Sequence, residues 1–172
     1  AYSSPMLRCL FVLLASLSSL TSAAEPIPLT WGPHKDLTAK PAPGGAIEIT
    51  LQSGHPHFWT GIVPPAFDRD QHRIFELDYF APSGIQKATL RFRIADGSMV
   101  VAGSQPMPLS ETWQPWTFDL STVKTRPAAG HPEMRFHLAL EGKPGTVLQV
   151  RGFRLRESNP EERRLQDQRE SL

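Results

Sequence analysis

From Leu29 to Arg156 the apolar residues recur mainly at every second position, the period of a strand with one face in a core and one in water. Ile47, Ile49 and Leu51 alternate with Glu48, Thr50 and Gln52, and Phe75, Leu77 and Tyr79 with Glu76 and Asp78. Leu90, Phe92 and Ile94 alternate with Arg91 and Arg93; an Asp96-Gly97 turn closes this run, and Met99-Val100-Val101 follows. Trp116, Phe118 and Leu120 flank Thr117 and Asp119. Met134, Phe136, Leu138 and Leu140 alternate with Arg135 and His137 before the turn Gly142-Lys143-Pro144-Gly145. Leu148 and Val150 share a phase that slips at Gly152 before Phe153 and Leu155, as a β-bulge requires. Phe58 to Val63 reads as a shorter strand ended by Pro64-Pro65.

These runs amount to seven or eight strands, and no segment between them shows the 3.6-residue period of a crossover helix. Each sheet then has one face that must leave water, so the pattern predicts an all-β fold: two antiparallel sheets packed as a β-sandwich, or jelly roll. Leu90, Phe92, Ile94, Trp116, Phe118, Met134, Phe136, Leu138, Val150 and Phe153 are expected in one core between the sheets. The 17 prolines fit a chain of many turns.

Both ends differ from this pattern. In residues 157–172, Ser158 or Asn159 stands before Pro160-Glu161-Glu162, a helix start with acids at the positive dipole end. The run EERRLQDQRESL that follows has only Leu165 and Leu172 as an apolar stripe, too thin to dock firmly. It reads as a solvated tail or as a connector helix leading into another domain. In residues 1–24, Arg8 precedes the apolar run CLFVLLASLSSL and the small residues Thr21-Ser22-Ala23-Ala24, the layout of a signal peptide cleaved before Ala24 or Glu25. Met6 is read as the initiator and residues 1–5 as an upstream extension. The expected mature chain has its sandwich at residues 25–156, is secreted or periplasmic, and carries no membrane segment after cleavage.

Cleavage also changes the chemistry on offer. The remaining 148 residues hold 17 basic and 17 acidic side chains and no cysteine, since Cys9 leaves with the leader. Thiol catalysis, iron–sulfur clusters and cysteine zinc sites are excluded for that chain. A balanced charge argues against a nucleic-acid binder resting on bulk electrostatics.

The segments LSETWQPWTFDLSTV (residues 109–123), MRFHLALEGKPGT (134–146) and VLQVRGFRLRE (147–157) resemble the loop, penultimate strand and closing strand of jelly-roll carbohydrate-binding modules. They are equally similar to galactose-binding-like domains found at the front of secreted bacterial glycosidase-like proteins. The resemblance implies a polysaccharide or oligosaccharide partner, frequent covalent linkage to a catalytic domain, and often a structural calcium ion. This sequence has no compact acidic calcium loop, and no other cofactor is implied.

A pyranose offers an apolar C–H face and a rim of hydroxyls, so aromatic side chains beside planar polar groups are its natural partners. Trp113, in an expected loop with Glu111, Thr112 and Gln114, reads as a stacking platform or as a cap on the core edge. Trp59, after the turn Gly54-His55-Pro56-His57, reads either way, whereas Trp116 is in phase with the core. Arg91, Arg93, Arg135 and His137 point away from the core; on neighbouring strands they would form a cationic patch suited to hydroxyls or uronate carboxylates. The alternative is a solvated face with cross-strand ion pairs to Glu76 and Asp78. His55 and His57 have the alternate spacing of a metal pair, but no third ligand lies near, and no metal site is assigned.

The sequence lacks Gly-x-Ser-x-Gly, His-Glu-x-x-His and a phosphate-binding glycine loop, so no catalytic residue is assigned. The reading that follows is a secreted, non-catalytic carbohydrate-binding module ancillary to a polysaccharide-degrading enzyme. Two alternatives stand beside it. One is a scaffold sandwich that supports a neighbouring catalytic domain. The other is a small jelly-roll polysaccharide lyase using Tyr79, His137 and Arg135.

Overall fold

The computed structural model describes residues 23–93, 96–124 and 134–172. Residues 1–22 of the expected signal peptide (1–24) and the core assignment of Ile94 lie outside them. The described chain forms strands β1 (Ile27–Pro28), β2 (Trp31–Lys35), β3 (Leu37–Ala42), β4 (Ala46–Leu51), β5 (His57–Thr60) and β6 (Ile74–Ala81). There follow β7 (Ile85–Arg93), β8 (Met99–Met107), β9 (Ser110–Asp119), β10 (Phe136–Glu141), β11 (Val147–Arg156) and helix α1 (Pro160–Glu170).

Two antiparallel sheets result. The first has the order β3-β4-β11-β6-β9 with β1 added beside β11, and the second the order β2-β5-β10-β7-β8. The chain crosses repeatedly from one sheet to the other, so almost every strand contributes its apolar face to a single shared core. Phe92 and Leu90 of the second sheet and Leu77, Val150 and Leu155 of the first are all fully buried there. Phe136 touches both layers, with its ring 5.0 Å from Phe75 and 6.1 Å from Phe92. Full burial of each such side chain stabilises the fold by roughly 1.5–3 kcal/mol relative to exposure, which is what selects this strand phase.

The bulge expected at Gly152 is present. Register between β11 and β6 shifts between Arg151 and Arg154, and Gly152 adopts φ +65, a left-handed conformation that favours glycine. It divides one edge of β11: residues 147–150 pair with β4, while Arg154 and Leu155 pair with β1.

Several expectations need correction. β1, β2 and β3 were not anticipated by periodicity, because Pro33, Pro41 and their polar neighbours erase the alternation. β2 and β3 lie at sheet edges, where proline's missing N–H is tolerated. β9 starts at Ser110, so Trp113 lies within a strand and not in a loop. Phe118 is half-buried, whereas Phe92 and Phe136 are only 0% and 1% exposed.

Helix α1 docks despite its thin stripe, and it does so through polar groups. Asn159 caps it in a reciprocal pair with Glu162. Gln166, 1% exposed, bonds Ser158 Oγ, Arg156 grips both oxygens of Glu162 at 2.8 and 2.9 Å, and Arg169 meets Asp119. Leu165 and Leu172 stay exposed.

Candidate functional site

The outer face of the second sheet collects the chemistry. On β5, Phe58 and Thr60 point into the core, so His57 and Trp59 point out. On β10, Phe136, Leu138 and Leu140 point in, leaving His137 and Ala139 outside. On β7 the same alternation presents Thr89, Arg91 and Arg93. Register then aligns them: His137 stands opposite Trp59 on one side and Arg91 on the other, and Arg91 in turn faces Val101 of β8. A parallel row runs His57, Ala139, Thr89 and Ser104, with the Thr89 and Ser104 hydroxyls 2.8 Å apart.

Two open hollows mark this face. One, of about 790 Å³, includes His57, Thr89, Arg91, Val101, Ser104 and His137 in its wall. The other, of about 400 Å³, is lined by Pro33, Trp59, Ile62, Arg93 and Arg135. Trp59 and His137 join them, their rings in edge contact at 4.6 Å. Arg93 lies over the Trp59 ring at 5.4 Å.

His137 is the least ordinary group here. It is only 6% exposed, yet its Nδ1 is buried without a hydrogen-bond partner among the described residues. Burial, reinforced by the nearby charges of His57 and Arg91, lowers its pKa to about 4. At neutral pH it is therefore an uncharged imidazole with hydrogen-bonding capacity left over.

Five of the six sequence-predicted ligand residues thus meet: Trp59, Arg91, Arg93, Arg135 and His137 share one face. Trp113 does not join them. It sits on the first sheet beside Phe80, at 6.1 Å, with the Arg151 guanidinium over its ring at 4.0 Å. The anticipated ion pairs across the patch are also absent from it. Glu76 and Asp78 belong to β6 in the first sheet, where they pair with Arg154, Arg156 and Arg151. Arg91 and Arg135 make no ion pair among the described residues.

The trio proposed for a lyase is likewise not assembled. Tyr79 is buried in the core side of the first sheet and donates its hydroxyl to the Pro108 carbonyl at 3.1 Å, whereas His137 and Arg135 belong to the outer face of the second. Among the described residues no three His, Cys, Asp or Glu side chains converge as a metal would need. His57 turns its Nδ1 back to the His55 carbonyl at 2.7 Å, in keeping with a local turn contact.

Sequence reasoning missed His57 as a neighbour of the patch, and also Thr89, Val101 and Ser104. Thr89 was within reach, being two residues from Arg91 on the same strand; β8 was not, since its alternation is broken around Gly103.

No family model matches the sequence, and no curated protein does. Similar solved structures do exist. A carbohydrate binding module of family 29 superposes with a TM-score of 0.51 at 12% identity, over 74% of this chain and 77% of that one. A variant of such a module complexed with mannohexaose gives 0.52 at 11% identity, over 77% and 92%. PfGH50B gives 0.59 at 9% identity, over 79% of this chain and 24% of that one. At these identities the shared property is the fold. The chain is a jelly-roll β-sandwich, the fold that it shares with these structures.

Proposed function

We propose that this protein is a secreted or periplasmic, non-catalytic carbohydrate-binding module that receives a polysaccharide or oligosaccharide on the outer face of its second sheet. The observation that carries the reading is the juxtaposition of Trp59 with His137, Arg91, Arg93 and Arg135 around two open hollows. Trp59 offers an aromatic surface to the apolar face of a sugar ring, while the imidazole, hydroxyls and guanidinium groups meet its hydroxyls. A structure of the same fold that holds mannohexaose supports the ligand class.

The module works beside a polysaccharide-degrading enzyme, with the charged, exposed side of α1 as the connector. Binding needs no cofactor, so retention on a glycan is expected to survive EDTA; a melting temperature lowered by EDTA would reveal a structural calcium ion. The direct test is affinity electrophoresis of wild type and Trp59→Ala against a panel of soluble glycans. Truncating an aromatic anchor typically costs more than about 1 kcal/mol, enough to push weak binding below detection. Retardation of wild type by no glycan would leave the scaffold reading in its place, and shortened or unsaturated glycan products would make the domain an enzyme.

A further inference from the structure

The larger hollow has an uneven floor, and the unevenness follows the strand register. On β10, Ala139 stands between the outward residues His137 and Glu141; on β7, Thr89 stands between Arg91 and Lys87. Ala139 pairs with Thr89, and Thr89 with Ser104 of β8, so small side chains fall in line across three adjacent strands. His57 of β5 continues the line on the other side. At a strand spacing of about 4.8 Å, the line from His57 to Ser104 runs about 14 Å. It forms a trench across the strands, flanked by His137 and Arg91 on one side and by Glu141 and Lys87 on the other. Beyond Ser104 it opens over β8, the edge strand of the sheet.

Hydrogen-bonding groups are set into this trench at two places. Thr89 is only 5% exposed and commits its hydroxyl to Ser104 Oγ at 2.8 Å, whereas Ser104 itself is exposed. A hydroxyl has one proton and two lone pairs, so this bond holds the Ser104 rotor from beneath and leaves it capacity for a ligand. The second place is the wall, where Lys87 Nζ donates to Glu141 Oε1 at 2.9 Å with the two side chains 48% and 59% exposed. An ammonium that donates beside a carboxylate that accepts is matched to neighbouring hydroxyls of one sugar ring. Lys87 and Thr89 lie two residues apart on one face of β7, about 7 Å along the strand.

Resting on the binding reading above, we propose that Ser104 and the Lys87–Glu141 pair determine which glycan is accepted, a sugar chain laid along the trench over Ala139 presenting its ring hydroxyls to them. Thr89 touches no sugar; it is a positioning residue that acts through Ser104. Trp59 supplies a stacking surface that any pyranose can use. The hydroxyls in the trench read what differs between one neutral sugar and its epimer.

The test is titration calorimetry with mannohexaose, cellohexaose and xylohexaose, and with the corresponding disaccharides. Mannose and glucose are epimers, and xylose lacks the hydroxymethyl arm. Wild type is expected to bind at least one hexaose, to bind its disaccharide more weakly, and to prefer one epimer. Ser104→Ala and Glu141→Gln should each weaken the preferred hexaose roughly fivefold, the scale of one hydrogen bond, and narrow the preference. Thr89→Val should match Ser104→Ala, and Thr89→Ser, which keeps the hydroxyl, should restore wild-type binding. Ala139→Tyr, which fills the trench, should abolish binding. Thr50→Tyr, on the outer face of the first sheet, should leave it unchanged, with melting curves checking that all variants fold. Hexaose binding that survives Ala139→Tyr but is lost in Trp59→Ala would overturn the trench and leave the module reading standing. So would a disaccharide bound as tightly as its hexaose. Equal weakening of both epimers by Ser104→Ala, with the preference intact, would overturn the role given to Ser104. Binding of none of the hexaoses would overturn both the trench and the module reading.

Discussion

Trp59 and His137 face each other across the β5–β10 pair, their rings 4.6 Å apart and inclined at 71°, so that the indole helps seal the imidazole from water. His57 closes a second side at 4.7 Å, and Arg91 flanks it from β7. The sheet thus spends burial on a polar ring in its outer layer, where a core residue would ordinarily be apolar.

That burial has a pH signature. The His137 pKa is about 4 in the folded chain and near 6.5 in the unfolded one. Between those values the unfolded chain binds a proton that the folded chain refuses, so stability is full above pH 6.5 and falls as pH drops towards 4. The loss is on the order of 3 kcal/mol at the lower limit. Urea midpoints across this window should decline for wild type and much less for His137→Gln, which keeps a polar side chain without the titration. Parallel decline in both proteins would show that His137 is not the group responsible.

Trp113 and Trp59 should separate cleanly. Trp113 stacks under Arg151 on the opposite sheet, a contact worth roughly 0.5–1 kcal/mol at an exposed position. Trp113→Ala is expected to lower the melting temperature by a few degrees and leave glycan retention as in wild type. Trp59→Ala should lose glycan retention, with a small fall in melting temperature from its own contacts with Arg93 and His137. Loss of retention in Trp113→Ala would move the binding site to the first sheet.

The two tryptophans also show how far the sequence could be read. Period-two alternation gave the sandwich, the phases of Phe92 and Phe136 and the Gly152 bulge, because core burial imposes that period on any half-buried strand. It also put Arg91, Arg93 and His137 on outward faces. It was silent on which strands become neighbours, and register across β5, β10 and β7 is what unites Trp59 with them. The same silence placed Glu76 and Asp78 beside the wrong arginines. Trp113 looks like a loop residue in the sequence because Gln114-Pro115 breaks the alternation within β9. Helix α1 has too thin an apolar stripe for its docking to be legible in the sequence, because Gln166 and Glu162 anchor it by hydrogen bonds.

Gly103 is expected to be intolerant for a packing reason. A Cβ there would lie 2.4 Å from Cζ of Phe118, across from β9. Gly103→Ala must displace that half-buried ring, and overpacking of this kind typically costs about 1–3 kcal/mol. If the ring is the obstacle, Phe118→Leu should cost less in the Gly103→Ala background than in wild type, measured as a double-mutant cycle of unfolding free energies. Strict additivity would rule the contact out as the cause.

The last prediction concerns the polar chain that ties the sandwich to α1. Glu76, 7% exposed, is bound by Arg154 and by Arg156 Nε at 2.6 Å, and Arg156 continues to Glu162 on the helix. Its carboxylate compensates two partly buried guanidinium groups at once. Glu76→Gln should therefore cost about 1.5 kcal/mol, the scale of a hydrogen bond to a charged group, because Arg154 keeps Asp78 and Arg156 keeps Glu162 as partners. An 11-residue helix is marginal by itself, so Arg156→Ala should release α1 while the sheets persist. Hydrogen exchange would show this as lost protection confined to residues 160–170. Acid should mimic it: hydrogen bonding from Arg156 holds the Glu162 carboxyl below the ordinary range. The pair thus contributes in full above the ordinary carboxylate pKa and is lost as pH falls through the lowered value. Uniform loss of protection across sheets and helix together would show that α1 is cooperative with the core and not a separately docked element.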